Sequence, residues 1–171
     1  MPQNMPRYPT ILFDWGDTVM RDYPERTNPM VEWETVEVID GIADVLAYLH
    51  SSGRRIVLAT SAAISDEDQI RGALARGGLD HYFSRIYCFK NTQLPKGEEF
   101  YLHIMNDLPL SPSDALMVGD GFENDIQIPN ALGMFGVWFN PKSNEVRSDD
   151  KHTTVHSMEE LRAFFEDLDQ I

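Results

Sequence analysis

Apolar and polar positions along the chain form alternating blocks of strand and helix patterns. Continuous apolar runs predict five buried strands, at 10–14, 55–60, 85–89, 115–118 and 134–139. Apolar positions at helical spacing predict helices at 42–50, 65–75, 97–107, 124–132 and 157–168. Buried strands that alternate with helices are typical of a parallel sheet covered on both faces. The pattern therefore predicts an α/β fold in three layers.

Several helix ends carry capping signals. Ser65 is the predicted N-cap of the second helix, because acids follow it in the first turn. Gly133 ends the fourth predicted helix. Ser157 and Glu160 have the spacing of a capping box at the start of the last helix.

Candidate functional groups are concentrated where the predicted strands end. Asp14 ends the first strand, and Thr60 and Ser61 end the second. Asp120 follows the fourth strand, and Lys96 lies in the loop after the third. In open α/β sheets, ligands bind beyond the carboxyl ends of the strands. We therefore expect these groups to converge on one rim of the sheet.

Composition and charge narrow the class of protein. The 171 residues, 42% of them hydrophobic, predict one globular domain over residues 1–171. A net charge of −14 repels phosphate backbones, so nucleic acid is not an expected partner. No apolar run approaches the roughly 20 residues of a membrane span. Because the first residues also lack a signal-peptide pattern and Cys88 is the only cysteine, we expect a cytoplasmic protein without membrane contact.

The residues of the rim favour phosphate chemistry assisted by a metal ion. Asp14, Asp120 and Asp125 offer hard oxygen ligands, and Mg²⁺ is the natural cation for such ligands. Lys96 can neutralise an anion, and a hydroxyl of the LATS segment can donate to a phosphate oxygen. Asp14 can also attack phosphorus, because a carboxylate can form an aspartyl-phosphate intermediate.

Four motifs in this order resemble the haloacid dehalogenase superfamily of phosphohydrolases. They are FDWGDT, LATS, Lys96 and VGDGFEND, and the resemblance covers residues 9–168. It implies a Rossmann-like sheet with strand order 5-4-1-2-3. It also implies a Mg²⁺-dependent hydrolase that cleaves phosphomonoesters through an aspartyl-phosphate.

The resemblance assigns catalytic and phosphate-binding roles. Asp14 resembles the nucleophile, and Lys96 resembles the lysine that steadies the nucleophile and the phosphate. Thr60 resembles the phosphate-binding residue of the second motif, with Ser61 beside it.

The resemblance also implies a ligand set for Mg²⁺. Asp14 and Asp120 resemble the metal-ligating acids, and Asp125 resembles the second acid of the fourth motif. The backbone carbonyl two residues after the nucleophile usually binds the metal, and that residue is Gly16 here.

The first motif departs from the pattern of the family's phosphatases. They usually read Asp-x-Asp-Gly-Thr, and the second Asp is the general acid and base, worth roughly 10²–10⁴ in rate. Gly16 and Asp17 stand in the opposite order.

Three interpretations of this swap remain open. In the first, which we adopt as the prediction, Gly16 loosens the loop and Asp17 swings into the acid/base position. In the second, Asp17 caps a turn, and the enzyme is slow or uses another acid such as Glu123. In the third, the protein binds Mg²⁺ and a phosphorylated ligand without turnover.

The chain also lacks room for the cap domain of many family members. The short insert at 19–40 takes the place of a cap, so the resemblance is to the capless type. Tyr23 and Trp33 of this insert are candidates for an apolar wall over the pocket. The expected partner is a phosphorylated small molecule or a phosphoprotein, and a second copy of the chain is a candidate to close the open site.

Overall fold

A computed structural model of the chain describes residues 4–170 and contains a parallel sheet of six strands in this region. Along the sheet the order is β3-β2-β1-β4-β5-β6. The strands are β1 (Thr10–Phe13), β2 (Arg55–Ala59), β3 (Arg85–Tyr87), β4 (Ala115–Gly119), β5 (Phe135–Phe139) and β6 (His152–Val155). The predicted order 5-4-1-2-3 is confirmed, with β6 added beside β5.

Helices cover both faces of the sheet and supply most of the connections. They are α1 (Ile42–Ser51), α2 (Glu67–Arg76), α3 (Phe89–Thr92), α4 (Glu98–Asp107), α5 (Ile128–Ala131) and α6 (Met158–Asp169). A π-helical segment, Phe122–Gln127, runs directly into α5. The predicted three-layer α/β fold is confirmed.

The sheet separates two hydrophobic cores. Ile11 and Phe13 of β1 belong to one core, whereas Leu12 belongs to the other. Successive side chains of a strand point to opposite faces, so a strand covered on both sides must be apolar at every position. This requirement explains the continuous apolar runs in the sequence.

The strand register brings the predicted rim together. Phe13 pairs with Leu58 on one side and with Val118 on the other, so these three parallel strands end level. Asp14 then continues the ladder by one bond, because its N–H donates to the Val118 carbonyl at 2.9 Å. The loops that follow β1, β2 and β4 therefore leave the same edge of the sheet.

Several element boundaries differ from the sequence prediction by one or two residues, and two of these differences have a clear local cause. The N-cap of α2 is Asp66, whose carboxylate accepts the Gln69 N–H in a reciprocal capping box, and Ser65 lies buried one residue earlier. An Asp carboxylate with Gln three residues later satisfies two backbone donors at once, which a lone serine cannot do. The third strand ends at Tyr87 rather than Phe89, because α3 begins at Phe89.

Strand β6 was not predicted, because its sequence HTTV carries little apolar signal. It lies at the edge of the sheet and pairs only with β5 along its length in the described chain. Three of its four residues are half-buried. An edge strand needs no continuous apolar run, so hydrophobic patterning does not reveal it.

The insert at 19–40 packs along α2 and carries a single turn of 3₁₀-helix, Met30–Glu32, in the described chain. Arg76 of α2 fastens it, because its guanidinium donates to the carbonyls of Val31, Trp33 and Glu34. Among residues 4–170, no helix has both the length and the apolar character needed to cross a membrane.

Gly41 offers a test of how α1 is held against α6. Its φ is +83°, and a Cβ there would lie 2.9 Å from Met158 Cβ. Gly53 has almost the same φ, +82°, but a Cβ there would have open space around it, with nothing within 4 Å. Left-handed backbone costs a non-glycine residue about 1–2 kcal/mol, and overpacking adds about 1–3 kcal/mol. In urea unfolding, we expect Gly53→Ala to lower the free energy of unfolding by the backbone cost alone. We expect Gly41→Ala to lower it by the backbone cost and the overpacking cost together. Equal losses would mean that the Gly41–Met158 contact yields without cost.

Candidate active site

A buried lysine joins three segments at the carboxyl edge of the sheet. Lys96 Nζ lies 3.0 Å from Asp14 Oδ1 and 2.6 Å from Asp125 Oδ1. The Lys96 side chain is only 3% exposed. A buried cation must be paired, so the loop before α4 is tied to the end of β1 and to the π-helical segment.

Three carboxylates form a cluster beside this lysine. Asp14, Asp120 and Asp125 each offer an oxygen, and these oxygens lie within 4.8 Å of one another. Thr18 Oγ1 donates to Asp120 Oδ1 at 3.3 Å, and the Trp138 indole N–H donates to the Asp120 carbonyl at 2.9 Å. The three carboxylates therefore come from the ends of β1 and β4 and from the π-helical segment, and β5 supports Asp120 through Trp138.

Two glycines let Asp125 reach the cluster. Its carboxylate fills the space that a Cβ on Gly119 would occupy, so no other residue fits there. The Gly121 N–H donates to Asp125 Oδ2 at 2.9 Å. The predicted helix over 124–132 is π-helical in its first part, and the extra residue per turn is a feature that often accompanies functional sites.

Negative charge in the cluster exceeds positive charge. Burial, together with a hydrogen bond and repulsion from Asp14, raises the pKa of Asp120 to about 7. Burial also raises the pKa of Asp125 to about 6, against the opposing influence of Lys96. Burial alone would lower the pKa of Lys96, but the Asp14 and Asp125 carboxylates raise it above its usual range. The excess negative charge of the cluster suits a cation.

Asp125 Oδ1 is a buried oxygen of this cluster. Its partner is Lys96 Nζ at 2.6 Å, and the Asp125 carboxylate also lies close to the carboxylates of Asp14 and Asp120. A hard cation beside Asp14 and Asp120 fits such an oxygen. The residues present therefore suit a metal ion with oxygen ligands.

The pocket in front of Asp14 is lined on one side by the loop after β2. Thr60 is buried, and its hydroxyl oxygen accepts the Ala62 N–H at 3.0 Å, which leaves the hydroxyl proton for a ligand. Ser61 is exposed and also lines the pocket. Both residues therefore lie beside Asp14, as the sequence predicts.

The insert forms the opposite wall of the pocket. Trp33 lines it, and Tyr23 packs edge-on against Trp33 with ring centroids 5.9 Å apart. The Arg26 guanidinium lies over both rings, 4.4 Å and 4.6 Å from their centroids, and also lines the pocket. Of the two aromatic residues singled out in the sequence, Trp33 borders the pocket and Tyr23 supports it.

Asp17 lies in the turn that follows β1. Its φ is +61°, a conformation that Asp tolerates, and its N–H donates to the Met20 carbonyl at 2.6 Å. Its carboxylate accepts the Asp22 N–H at 3.1 Å. This is the geometry of the turn-capping interpretation. Glu123, the other acid considered, is exposed on the π-helical segment and does not line the pocket.

Asp22 is a pocket residue that sequence reasoning missed. It lines the pocket together with Asp14 and Gly16. Burial, followed by the charges of Asp17 and Asp14, raises the pKa of its carboxyl group. No motif spacing or periodicity marks it, because it reaches the pocket through the fold of the insert. In the sequence, the only feature that could have drawn attention to Asp22 is that the insert is rich in acids and prolines.

The chain belongs to the haloacid dehalogenase-like hydrolase family, whose model matches residues 12–139. The resemblance seen in the four motifs is thereby confirmed, and the protein is a hydrolase of this family.

One curated relative and two solved structures illustrate the likeness. Pyrimidine 5'-nucleotidase PynA of Streptococcus pneumoniae (strain ATCC BAA-255 / R6) is 28% identical over 128 residues, which are 73% of this chain and 53% of the relative. The chain thus spans about half the length of this relative.

Both solved structures share the fold. An uncharacterized protein from Listeria monocytogenes serotype 4b has a TM-score of 0.78 at 21% identity, covering 95% of this chain and 99% of its own. The putative HAD-hydrolase YfnB from Bacillus subtilis, bound to magnesium, has a TM-score of 0.74 at 17% identity, covering 93% and 99%.

The crowding of carboxylates predicts a pH-dependent stability for the metal-free protein. The folded-state pKa of Asp120 lies above its ordinary value of 3.8, so the folded protein binds more protons than the unfolded chain between these values. Stability therefore falls as pH rises from about 4 to about 7. We expect Asp120→Asn to reduce this fall and to raise the metal-free Tm at neutral pH, measured by thermal unfolding in a chelator.

Asp40→Asn is the matched control, because Asp40 is exposed and outside the cluster. It should keep the native pH dependence. Added Mg²⁺ should raise the Tm of the native protein more than that of Asp120→Asn, since binding to the folded state stabilises it. A native Tm that does not fall between these pH values would contradict the analysis.

Proposed function

We propose that this hydrolase is a Mg²⁺-dependent phosphomonoesterase that works through a phosphorylated Asp14. The observation that carries the proposal is that Asp14, which lines the pocket, is paired with the buried Lys96 and belongs to the cluster of three carboxylates. A carboxylate held by a buried lysine, beside oxygen ligands for a cation, is suited to attack an anionic phosphoryl group.

Asp14, Asp120 and Asp125 would hold the metal, with the Gly16 carbonyl as a further oxygen ligand. The solved structure of YfnB, described as bound to magnesium, supports Mg²⁺ as the ion. When bound, Mg²⁺ would offset the repulsion between the Asp14 carboxylate and the phosphate.

The remaining pocket residues bind and orient the phosphoryl group. The Thr60 hydroxyl and Ser61 donate to its oxygens, and Lys96 balances the charge of both Asp14 and the phosphate. Asp14 then attacks phosphorus, the bond from phosphorus to the leaving oxygen breaks, and that oxygen receives a proton. Water attacks the phosphorus in the second step, which releases inorganic phosphate and restores the Asp14 carboxylate.

Nucleoside monophosphates are the substrates that we propose to test first. The Trp33 indole on the pocket wall suits a planar apolar group, and the curated relative is named a pyrimidine 5'-nucleotidase. Because the insert forms a wall rather than a separate cap, we propose a capless type of site, open to larger phosphorylated partners. Closure by a second copy of the chain is a further proposal, which light scattering after size exclusion tests.

A second candidate function is binding of Mg²⁺ and a phosphorylated ligand without turnover. The observation in its favour is that Gly16 replaces the usual second acid and that the Asp17 carboxylate is engaged with the Asp22 N–H. The two candidates differ in whether phosphate is released.

The decisive measurement is Mg²⁺-dependent phosphate release from a panel of nucleoside monophosphates, sugar phosphates and p-nitrophenyl phosphate. We expect Asp14→Asn to lose at least about 10³-fold in kcat/KM, because the nucleophile is gone. Chelation of Mg²⁺ should reduce the native rate to that background.

Lys96→Met and Lys90→Met form a matched pair. Lys96 is paired with two carboxylates, whereas Lys90 is exposed on α3, so only the first change should reduce phosphate release. If the native protein releases no more phosphate than Asp14→Asn, turnover fails as a proposal. Calorimetric binding of Mg²⁺ and inorganic phosphate would then support the binding function.

A further inference from the structure

We propose that Asp22 is the general acid and base of this site, and that Asp17 positions it. This inference rests on the proposed phosphomonoesterase function. It assigns to the insert a catalytic group that the first motif does not supply.

The composition of the pocket lining points to Asp22. Asp14 and Asp22 are the two acids among the described residues that line the pocket, and the lining holds no histidine. Because Asp14 is the nucleophile, Asp22 is the remaining side chain there that can carry a proton to and from an oxygen. Arg26 also lines the pocket, but its guanidinium does not give up a proton in proteins.

The position of Asp22 relative to Gly16 is the second observation. A Cβ built on Gly16 would lie 3.2 Å from Asp22 Cβ and 3.5 Å from Asp22 Oδ2. The Asp22 side chain therefore enters the space where a side chain of residue 16 would begin. The Asp22 carboxylate, six residues after Gly16 in the chain, therefore reaches the volume that the swapped Gly16–Asp17 pair leaves open.

Asp17 explains why the Asp22 segment stays there. Its carboxylate accepts the Asp22 N–H at 3.1 Å. On the next residue back, the Arg21 N–H donates to the Glu37 carbonyl at 2.9 Å. These bonds hold the backbone at residues 21 and 22 while the Asp22 side chain remains accessible to solvent and substrate.

The proton balance assigns one role to Asp22 in each step. As Asp14 Oδ attacks phosphorus and the bond to the leaving oxygen breaks, the Asp22 carboxyl donates its proton to that oxygen. The resulting Asp22 carboxylate then takes a proton from water while the water oxygen attacks phosphorus. The bond between phosphorus and Asp14 breaks, and inorganic phosphate leaves with Asp22 protonated again.

A leaving-group comparison tests this role in the full-length chain with Mg²⁺. An alkyl leaving group, as in uridine 5'-monophosphate, needs the proton, whereas p-nitrophenolate leaves without one. We expect Asp22→Asn to lose about 10²–10⁴-fold in kcat/KM with the nucleotide and far less with p-nitrophenyl phosphate. Asp40→Asn, an exposed acid outside the pocket, is the control.

The second step gives a positive signal that misfolding cannot produce. Without a base to activate water, Asp22→Asn should release one p-nitrophenolate per site in a burst and then turn over slowly, because the phosphorylated Asp14 accumulates. Phosphate on Asp14 can be trapped by acid quench and detected by mass spectrometry.

Two further variants separate the roles of Asp22 and Asp17. Gly16 has no left-handed φ, so its backbone accepts an aspartate. Gly16→Asp combined with Asp22→Ser therefore returns an acid to the pocket. The kcat/KM of this double variant for the nucleotide should exceed that of Asp22→Ser alone by at least about tenfold. Asp17→Asn keeps an oxygen that accepts the Asp22 N–H, so it should retain more activity than Asp17→Ala.

Three results overturn the inference. Native-like rates of Asp22→Asn with both substrates exclude Asp22 as the acid and base. Loss of nucleotide hydrolysis in Asp17→Asn that equals the loss in Asp17→Ala and largely spares p-nitrophenyl phosphate assigns the proton to Asp17 instead. If the native protein releases no more phosphate than Asp14→Asn, the phosphomonoesterase proposal fails and this inference fails with it. If the native protein does release phosphate, the results with the Asp22 and Asp17 variants test this inference alone.

Discussion

The ion pairs of Lys96 with Asp14 and Asp125 are the interaction on which the arrangement of the site depends. A lysine that is almost completely buried cannot remain charged without partners, and both partners come from other segments of the chain. The loop before α4, the end of β1 and the π-helical segment after β4 are therefore held in one relative position. The same pairs leave the three acids with more negative charge than one lysine balances. The lysine thus holds the site in one arrangement, and the excess negative charge of its acids suits a cation.

The sheet provides the frame in which this interaction can form. Level ends of β1, β2 and β4 put Asp14, Thr60 and Asp120 on one edge. Parallel strands need long connections, and the helices that serve as connections bury both faces of the sheet. The edge is left as the place where polar loops meet. Gly119 then removes the one side chain that would keep Asp125 from the cluster.

The loop after β1 and the insert act as one unit. The glycine at position 16 opens a volume beside Asp14, and the aspartate at position 17 turns its carboxylate onto the backbone of the insert. The insert in turn supplies a pocket wall built from Trp33, Tyr23 and Arg26. The insert has little regular secondary structure, and its contacts with α2 fix its position. One short insert thereby supplies both a wall of the pocket and the Asp22 carboxylate beside Gly16.

Local pattern was sufficient for much of this protein. Continuous apolar runs specified five of the six strands, because strands buried on both faces have no polar positions. The strand ends then located Asp14, Thr60 and Asp120, and the motif order located Lys96. The hydrophobic pattern did not reveal β6, because an edge strand does not need apolar residues at every position. It also did not identify Asp66 as the N-cap of α2. The direction of the Asp17 carboxylate and the presence of Asp22 in the pocket depended on tertiary structure alone. Both result from how an aperiodic insert folds back onto the first loop, and such contacts are set by packing and hydrogen bonds between segments rather than by the residues of either segment.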